Sequence, residues 1–168
     1  VALKILGPGM SLVARAVLAM SRDRVMIGIP ADGPARREPG APSNAVIGYV
    51  METGAPDLNI PARPFLAPGL RDAQPAAVGV LKQAAVAALK DVAALKTTAS
   101  GSGPVLQGLE AVGAVGRDAV KARIDSGPFK ALAPRTIAAR QKRGNSSTDP
   151  LKDTLQLQQA VTYRVEKK

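Results

Sequence analysis

Apolar positions along this chain change period several times, and each change marks a predicted element. Val25-Met26-Ile27-Gly28-Ile29 is a β-branched apolar run of strand length that stops at Pro30. Val161-Thr162-Tyr163-Arg164-Val165 alternates apolar and polar, the pattern of a strand with one buried face. Neither has a local partner, so the two are expected to pair across the chain in a small antiparallel sheet. Between them, Val78, Leu81, Ala85, Ala88, Val92 and Leu95 recur at steps of three and four. After a Ser/Thr/Gly-rich turn over Thr97–Gly103, the same period returns in Val105, Leu109, Val112, Gly116 and Val120. These stripes predict a long antiparallel helical hairpin from about Pro75 to Asp125, packed on the sheet, with Pro75 opening the first helix and Pro104 the second. Gly113 and Gly116 each cost about 1 kcal/mol in helix propensity, which suits positions where two helices touch, within one subunit or between two.

Shorter elements follow from capping and breaking residues. Ser11 can cap a helix carrying Leu12, Val13, Ala16, Val17 and Met20, and Asn44 can cap another that runs through Met51 to a terminating Gly54. Ala133-Pro134 opens a helix through Arg135, Ile137, Arg140 and Arg143 with a basic polar face. Asp153 with Gln156 reads as a capping box for a last short helix. Ala31–Ser43 holds Pro34, Pro39 and Pro42 with Gly33 and Gly40, so it predicts a flexible arm, whose Arg36-Arg37 pair is solvated or meets an acidic or phosphate group. Gly144–Asp149 predicts a flexible polar loop. In Ile60-Pro61-Ala62-Arg63-Pro64-Phe65-Leu66 the two prolines impose a stiff extended strut. Its Arg63 and Phe65 either present themselves to a partner or, for Phe65, fill the core. Altogether the chain reads as a single α+β domain over residues 1–168, with extended loops.

Composition narrows the chemistry. Hydrophobic residues make up 46% of the chain but aromatics only 2%, so the core is thin for its length and gains from burial against neighbours. The chain has no cysteine and no histidine, which removes disulfides, thiolates, and the commonest general base and transition-metal ligand. Ser11, Ser21 and Ser43 therefore lack an activating imidazole. Asp23, Asp32, Glu38, Glu52, Asp57, Asp72 and Asp91 form no pair spaced for hydrolysis or metal binding. Tyr49 and Glu52 have nothing to pair with and read as packing. No phosphate-cradling or dinucleotide motif is present. The expectation is a protein that is not an enzyme and uses no cofactor or metal. There is no signal-peptide pattern, and no apolar run nears the roughly 20 residues that span a bilayer, so a soluble intracellular protein without membrane contact is expected.

The net charge of +10, from 23 basic and 13 acidic residues, either serves solubility or attracts polyanions. From Arg117 onward there are twelve basic residues against five acidic ones. A basic nucleic-acid-binding protein without catalytic activity is thus the alternative reading, reached through non-specific contact with DNA. Two Phe and two Tyr, far apart in sequence, argue against a base-stacking platform.

Two blocks carry a family resemblance. Tyr49-Val50-Met51-Glu52-Thr53-Gly54 followed by Ile60-Pro61-Ala62-Arg63-Pro64-Phe65-Leu66 resembles a signature of tailed-phage virion morphogenesis, tail-completion or neck proteins. Leu132-Ala133-Pro134-Arg135-Thr136-Ile137-Ala138-Ala139-Arg140, then Pro150-Leu151-Lys152-Asp153-Thr154 and Val161–Val165, resembles the pattern PLSPSTIARR … PLIDTGQLLNSVTYRV of the same group. The blocks, spanning residues 49–66 and 132–165, cover a little under a third of the chain. Leu155 stands where that pattern has glycine, and many members carry the two blocks in the opposite order. The resemblance implies a structural component of a tailed bacteriophage virion. It would form a homo-oligomeric ring at the head-tail junction or tail end, acting in tail completion and head-tail joining. Its neighbours would be other neck, portal-adaptor or tail-tube proteins, and its location the virion, with the host cytoplasm during assembly. Arg36, Arg37, Arg63, Phe65, Arg135, Arg140 and Arg143 are the interaction candidates.

Overall fold

A computed structural model describes residues 23–93 and 103–167. Along the chain it contains β1 (Asp23–Gly28), α1 (Asn44–Thr53), a 3-10 turn (Pro56–Leu58), α2 (Leu66–Ala93), α3 (Gly103–Ser126), α4 (Pro134–Lys142), α5 (Gln156–Ala160) and β2 (Thr162–Lys167). The fold is α+β: β1 and β2 pair as a two-stranded antiparallel sheet, and α2 and α3 are the long packed helices. The helix predicted from Ser11, Leu95 and the turn from Thr97 to Ser102 lie outside the described residues. The chain divides into two compact units, each drawn from distant stretches.

The first unit includes residues 23–26, 73–93, 103–116 and 163–167. Here the alternation seen in the sequence becomes a two-faced sheet. Val25 and Val165 pack on Ala88, Val105 and Leu109, while Arg24 pairs with Glu166 at 2.9 Å on the other face. The helices meet through small residues: a Cβ on Gly108 would collide with Ala84, and Ala88, one turn further along α2, clusters with Val105 and Leu109 of α3. The predicted stripe holds at Ala88, which is buried, and is corrected at Val78 and Leu81, which are 42% and 37% exposed, while Ala84 joins Ala88 at the seam. Small side chains let the helix axes approach more closely than a Val/Leu row would. The expected role of Gly113 is corrected too. It leaves room for the ring of Tyr163 on β2, not for a helix.

The second unit holds residues 27–72 and 117–162. Phe65, Val120, Ile124, Leu151, Leu157 and Val161 form its core, flanked by Ile29, Ile47, Met51, Leu70 and Phe129. Gly69 again permits close helix approach, since a Cβ there would stand 2.8 Å from Val120 Cα. Ser43, one residue earlier than expected, caps α1, its hydroxyl accepting from the Val46 N–H, and Gly54 ends that helix at φ 81°.

The start of α2 differs from the sequence reading for a definable reason. The helix begins at Leu66, nine residues before Pro75. Glu52 accepts hydrogen bonds from the backbone N–H groups of Phe65, Leu66 and Ala67 at 2.7, 2.8 and 2.9 Å. Pro68 has no N–H to satisfy, and the Gly69 N–H reaches the Phe65 carbonyl. The first turn's donors are all accounted for, so a proline in it carries no penalty. Pro75 sits inside the helix, where it removes the bond to the Arg71 carbonyl, and both residues are exposed to water that can replace it. Asp153 does not cap α5. Leu155 occupies the N-cap without a side-chain bond, and Asp153 is engaged elsewhere.

Candidate functional site

Six segments of the second unit surround a cavity of about 510 Å³. Part of the lining is aliphatic. Ile47 and Met51 come from α1, Leu58 and Ile60 from the turn closed by the Ala55–Ile60 bridge, and Leu151 and Leu157 from the stretch entering α5. Part is cationic. Arg36, Arg63, Lys130, Arg135 and Arg140 line it, and Asp153 is the one acidic residue in the lining. Thus the cavity gathers four of the seven interaction candidates from positions more than a hundred residues apart.

Each arginine is held by a different device. Arg63 is only 6% exposed, so the strut turns it inward, where its Nε and Nη2 donate to the Lys130 and Ala131 carbonyls at 2.8 and 3.1 Å. Among the described residues no carboxylate pairs with it and its Nη1 has no protein acceptor. Burial first, and then the charge of Arg140, lower its pKa from the ordinary arginine value. Arg140, also buried, donates through Nη1 to the Ser147 and Asp149 carbonyls at 3.1 and 2.8 Å. Its Nε lies 3.5 Å from Asp153 but donates no hydrogen bond. Asp153 is shared further, accepting from Arg143 at 3.0 Å and Asn145 at 2.8 Å. The polar loop expected to be flexible at Gly144–Asp149 makes hydrogen bonds at Asn145, Ser147 and Asp149.

The segment Ala31–Ser43 contains no helix or strand, as its prolines and glycines require, but it is not a free arm. Arg36 donates to Asn44 at 2.8 Å and Thr154 at 3.4 Å and lies 3.3 Å from Glu38. Gln156 grips the segment from both sides, accepting from the Arg37 backbone N–H at 2.9 Å and donating to Glu38 at 3.0 Å. The Gln156 amide, then the Glu38 backbone N–H, and to a smaller extent Arg36, hold the Glu38 carboxyl below the usual value.

Of the remaining candidates, Phe65 is 1% exposed and fills the core, the second of the two roles its sequence left open, so it is not presented to a partner. The side chains of Arg37 and Arg143 are exposed and lie outside the cavity lining, and Arg135 is exposed at its rim. The sequence did not point to Lys130, Asn44, Asp153 or Gln156 as parts of this site. Their partners are distant in the chain, and only the Leu132–Arg140 block hinted at the neighbourhood.

Backbone geometry sets the cavity apart as well. The non-glycine residues with positive φ among the described residues are Asn59 (54°), Leu151 (63°) and Leu155 (59°), and all three line it. Asn tolerates that conformation in turns, whereas for leucine it costs of order 1–2 kcal/mol. Strain concentrated in one place is a property of binding sites. No group of acidic side chains among the described residues could hold a metal ion. In comparisons with known proteins, the chain matches no family model, no curated protein and no solved structure.

Proposed function

We propose that this chain is a structural component of a tailed-phage virion, one copy in a ring at the neck or tail end that acts in tail completion and head-tail joining. The observation that carries the reading is the convergence of its two family-like blocks. The Ile60–Leu66 strut and the Leu132–Arg140 stretch, about seventy residues apart, line one cavity, and Arg63 of the strut bonds to the Lys130 and Ala131 carbonyls immediately before the second block. Leu155 adds support: it stands where the family pattern has glycine, and its φ of 59° is one that glycine adopts freely. The departure in residue type keeps the turn.

A ring also accounts for the exposed apolar side chains of α2. Val78, Leu81, Val86 and Leu89 are all more than a third exposed on one helix, a surface that suits burial against neighbouring subunits. Native mass measurement and electron microscopy of the purified protein, alone and mixed with tail tubes, test the proposal. Higher oligomers or rings seated on tube ends are expected. A protein that stays monomeric at all concentrations and is missing from purified particles would remove it.

A further inference from the structure

We infer that the cavity of the second unit is a docking site for an acidic, aliphatic peptide segment of a partner protein. It would seat one carboxylate against Arg63, Arg140 and Arg135, and one branched aliphatic side chain against Ile47, Met51 and Leu157. The inference rests on the neck reading only for where the partner comes from.

Charge complementarity selects the occupant. Five cationic side chains line the cavity, against one carboxylate that Arg140, Arg143 and Asn145 already share. Arg63 is buried beside Arg140 with no carboxylate of its own among the described residues and Nη1 unspent, and a visiting carboxylate would supply the missing charge. A second copy of this chain, at a net charge of +10, is a poor source. The apolar part of the lining is aliphatic and has no aromatic ring on which a base could stack, which favours peptide over nucleic acid. Volume agrees with this choice, since about 510 Å³ falls within the roughly 300–1,000 Å³ of ordinary ligand sites and holds a few side chains. Leu151 and Leu155 line the cavity in left-handed conformations that carry a cost, and Leu155, 44% exposed, offers apolar surface that an occupant can bury.

The test is titration of the purified full chain, followed by heteronuclear NMR, with a capped synthetic peptide of alternating leucine and glutamate. Parallel titrations use the same peptide with glutamine for glutamate, oligothymidylate, and inorganic phosphate. One-to-one saturation is expected with a Kd below ~1 mM, and with shifts confined to the methyl groups of Ile47, Met51, Leu151 and Leu157. The glutamine peptide should bind about tenfold more weakly. Arg135→Glu, at the exposed rim, should weaken binding by about tenfold, while Arg37→Glu, an equal charge change outside the lining, should not. Equal binding of the two peptides, shifts that map elsewhere, equal loss in both variants, or no saturation would overturn the inference. So would tighter binding of oligothymidylate or phosphate, or self-association lost in Arg135→Glu, because each assigns a different occupant. Binding by a protein absent from virions would leave this inference standing without the neck reading, and virion incorporation without peptide binding would do the reverse.

Discussion

Glu52 caps the helix that begins at Leu66, accepting the Leu66 N–H at 2.8 Å from a position fourteen residues earlier in the chain. The same carboxylate holds the N–H groups of Phe65 and Ala67, and a negative charge is favoured at a helix N-terminus. It thereby ties the end of α1 to the end of the strut and the first turn of α2. Glu52→Ala is expected to lose about 1–3 kcal/mol of stability by leaving these donors unpaired. Glu52→Gln, which keeps one acceptor oxygen, should lose less. Urea unfolding of the two variants checks the order, and an alanine variant as stable as the parent would remove the cap from the account.

Glycine positions offer a matched pair. A Cβ at Gly113 would collide with the Tyr163 ring, while one at Gly79, in α2, meets nothing within 4 Å. Gly113→Ala should destabilise by about 1–2 kcal/mol, overpacking exceeding the gain in helix propensity. Gly79→Ala should stabilise by about 0.5–1 kcal/mol. Thermal unfolding of both proteins should show shifts of opposite sign.

Acid should loosen the Ala31–Ser43 segment. The Glu38 carboxyl has a folded pKa below its ordinary value of 4.5, so its contribution is present above that value and lost as pH falls through the lower folded one. Amide exchange across the segment, followed from neutral pH to below about 4 and corrected for intrinsic rates, should accelerate in the acid range. Glu38→Gln should flatten much of that dependence, because the amide does not titrate. A segment equally protected at both ends of the range would show that Glu38 does not hold it.

Leu155 tests the strained turn. Relief of its left-handed backbone offsets the entropy that glycine adds to the unfolded chain, so Leu155→Gly should change stability by less than about 1 kcal/mol. Leu155→Val, β-branched, should cost about 1–3 kcal/mol at the same position. Comparable losses in both variants would mean that the side chain matters more than the backbone there.

Duplex DNA distinguishes attraction by charge from recognition. Binding is expected to be weak, indifferent to sequence and to fade between ~50 and ~200 mM salt. Tight binding to one sequence at physiological salt would favour the nucleic-acid reading over the structural one.

By itself the sequence determined the elements whose signal is local. The β-branched run before Pro30 and the alternation at Val161–Val165 specified two strands, and the absence of nearer partners specified their pairing, which the antiparallel sheet bears out. Ala133-Pro134 marked the start of α4, and Gly54 the end of α1, because capping and φ preferences act within a few residues. The tertiary structure alone decided the rest. Whether a proline ends a helix depends on which donors are already satisfied, and Glu52, distant in sequence, satisfies those before Pro68. Which apolar face of α2 is packed depends on how closely α3 approaches, and the contact of Ala84 with Gly108 sets that distance. The cavity was the least legible part. Arg36, Arg63 and Arg140 read along the chain as exposed cations, and become parts of one site only when carbonyls at Lys130, Ala131, Ser147 and Asp149 and the side chains of Asn44 and Thr154 arrive to hold them. A buried charge is stable only through partners, and those partners are supplied by the fold and not by neighbours in sequence.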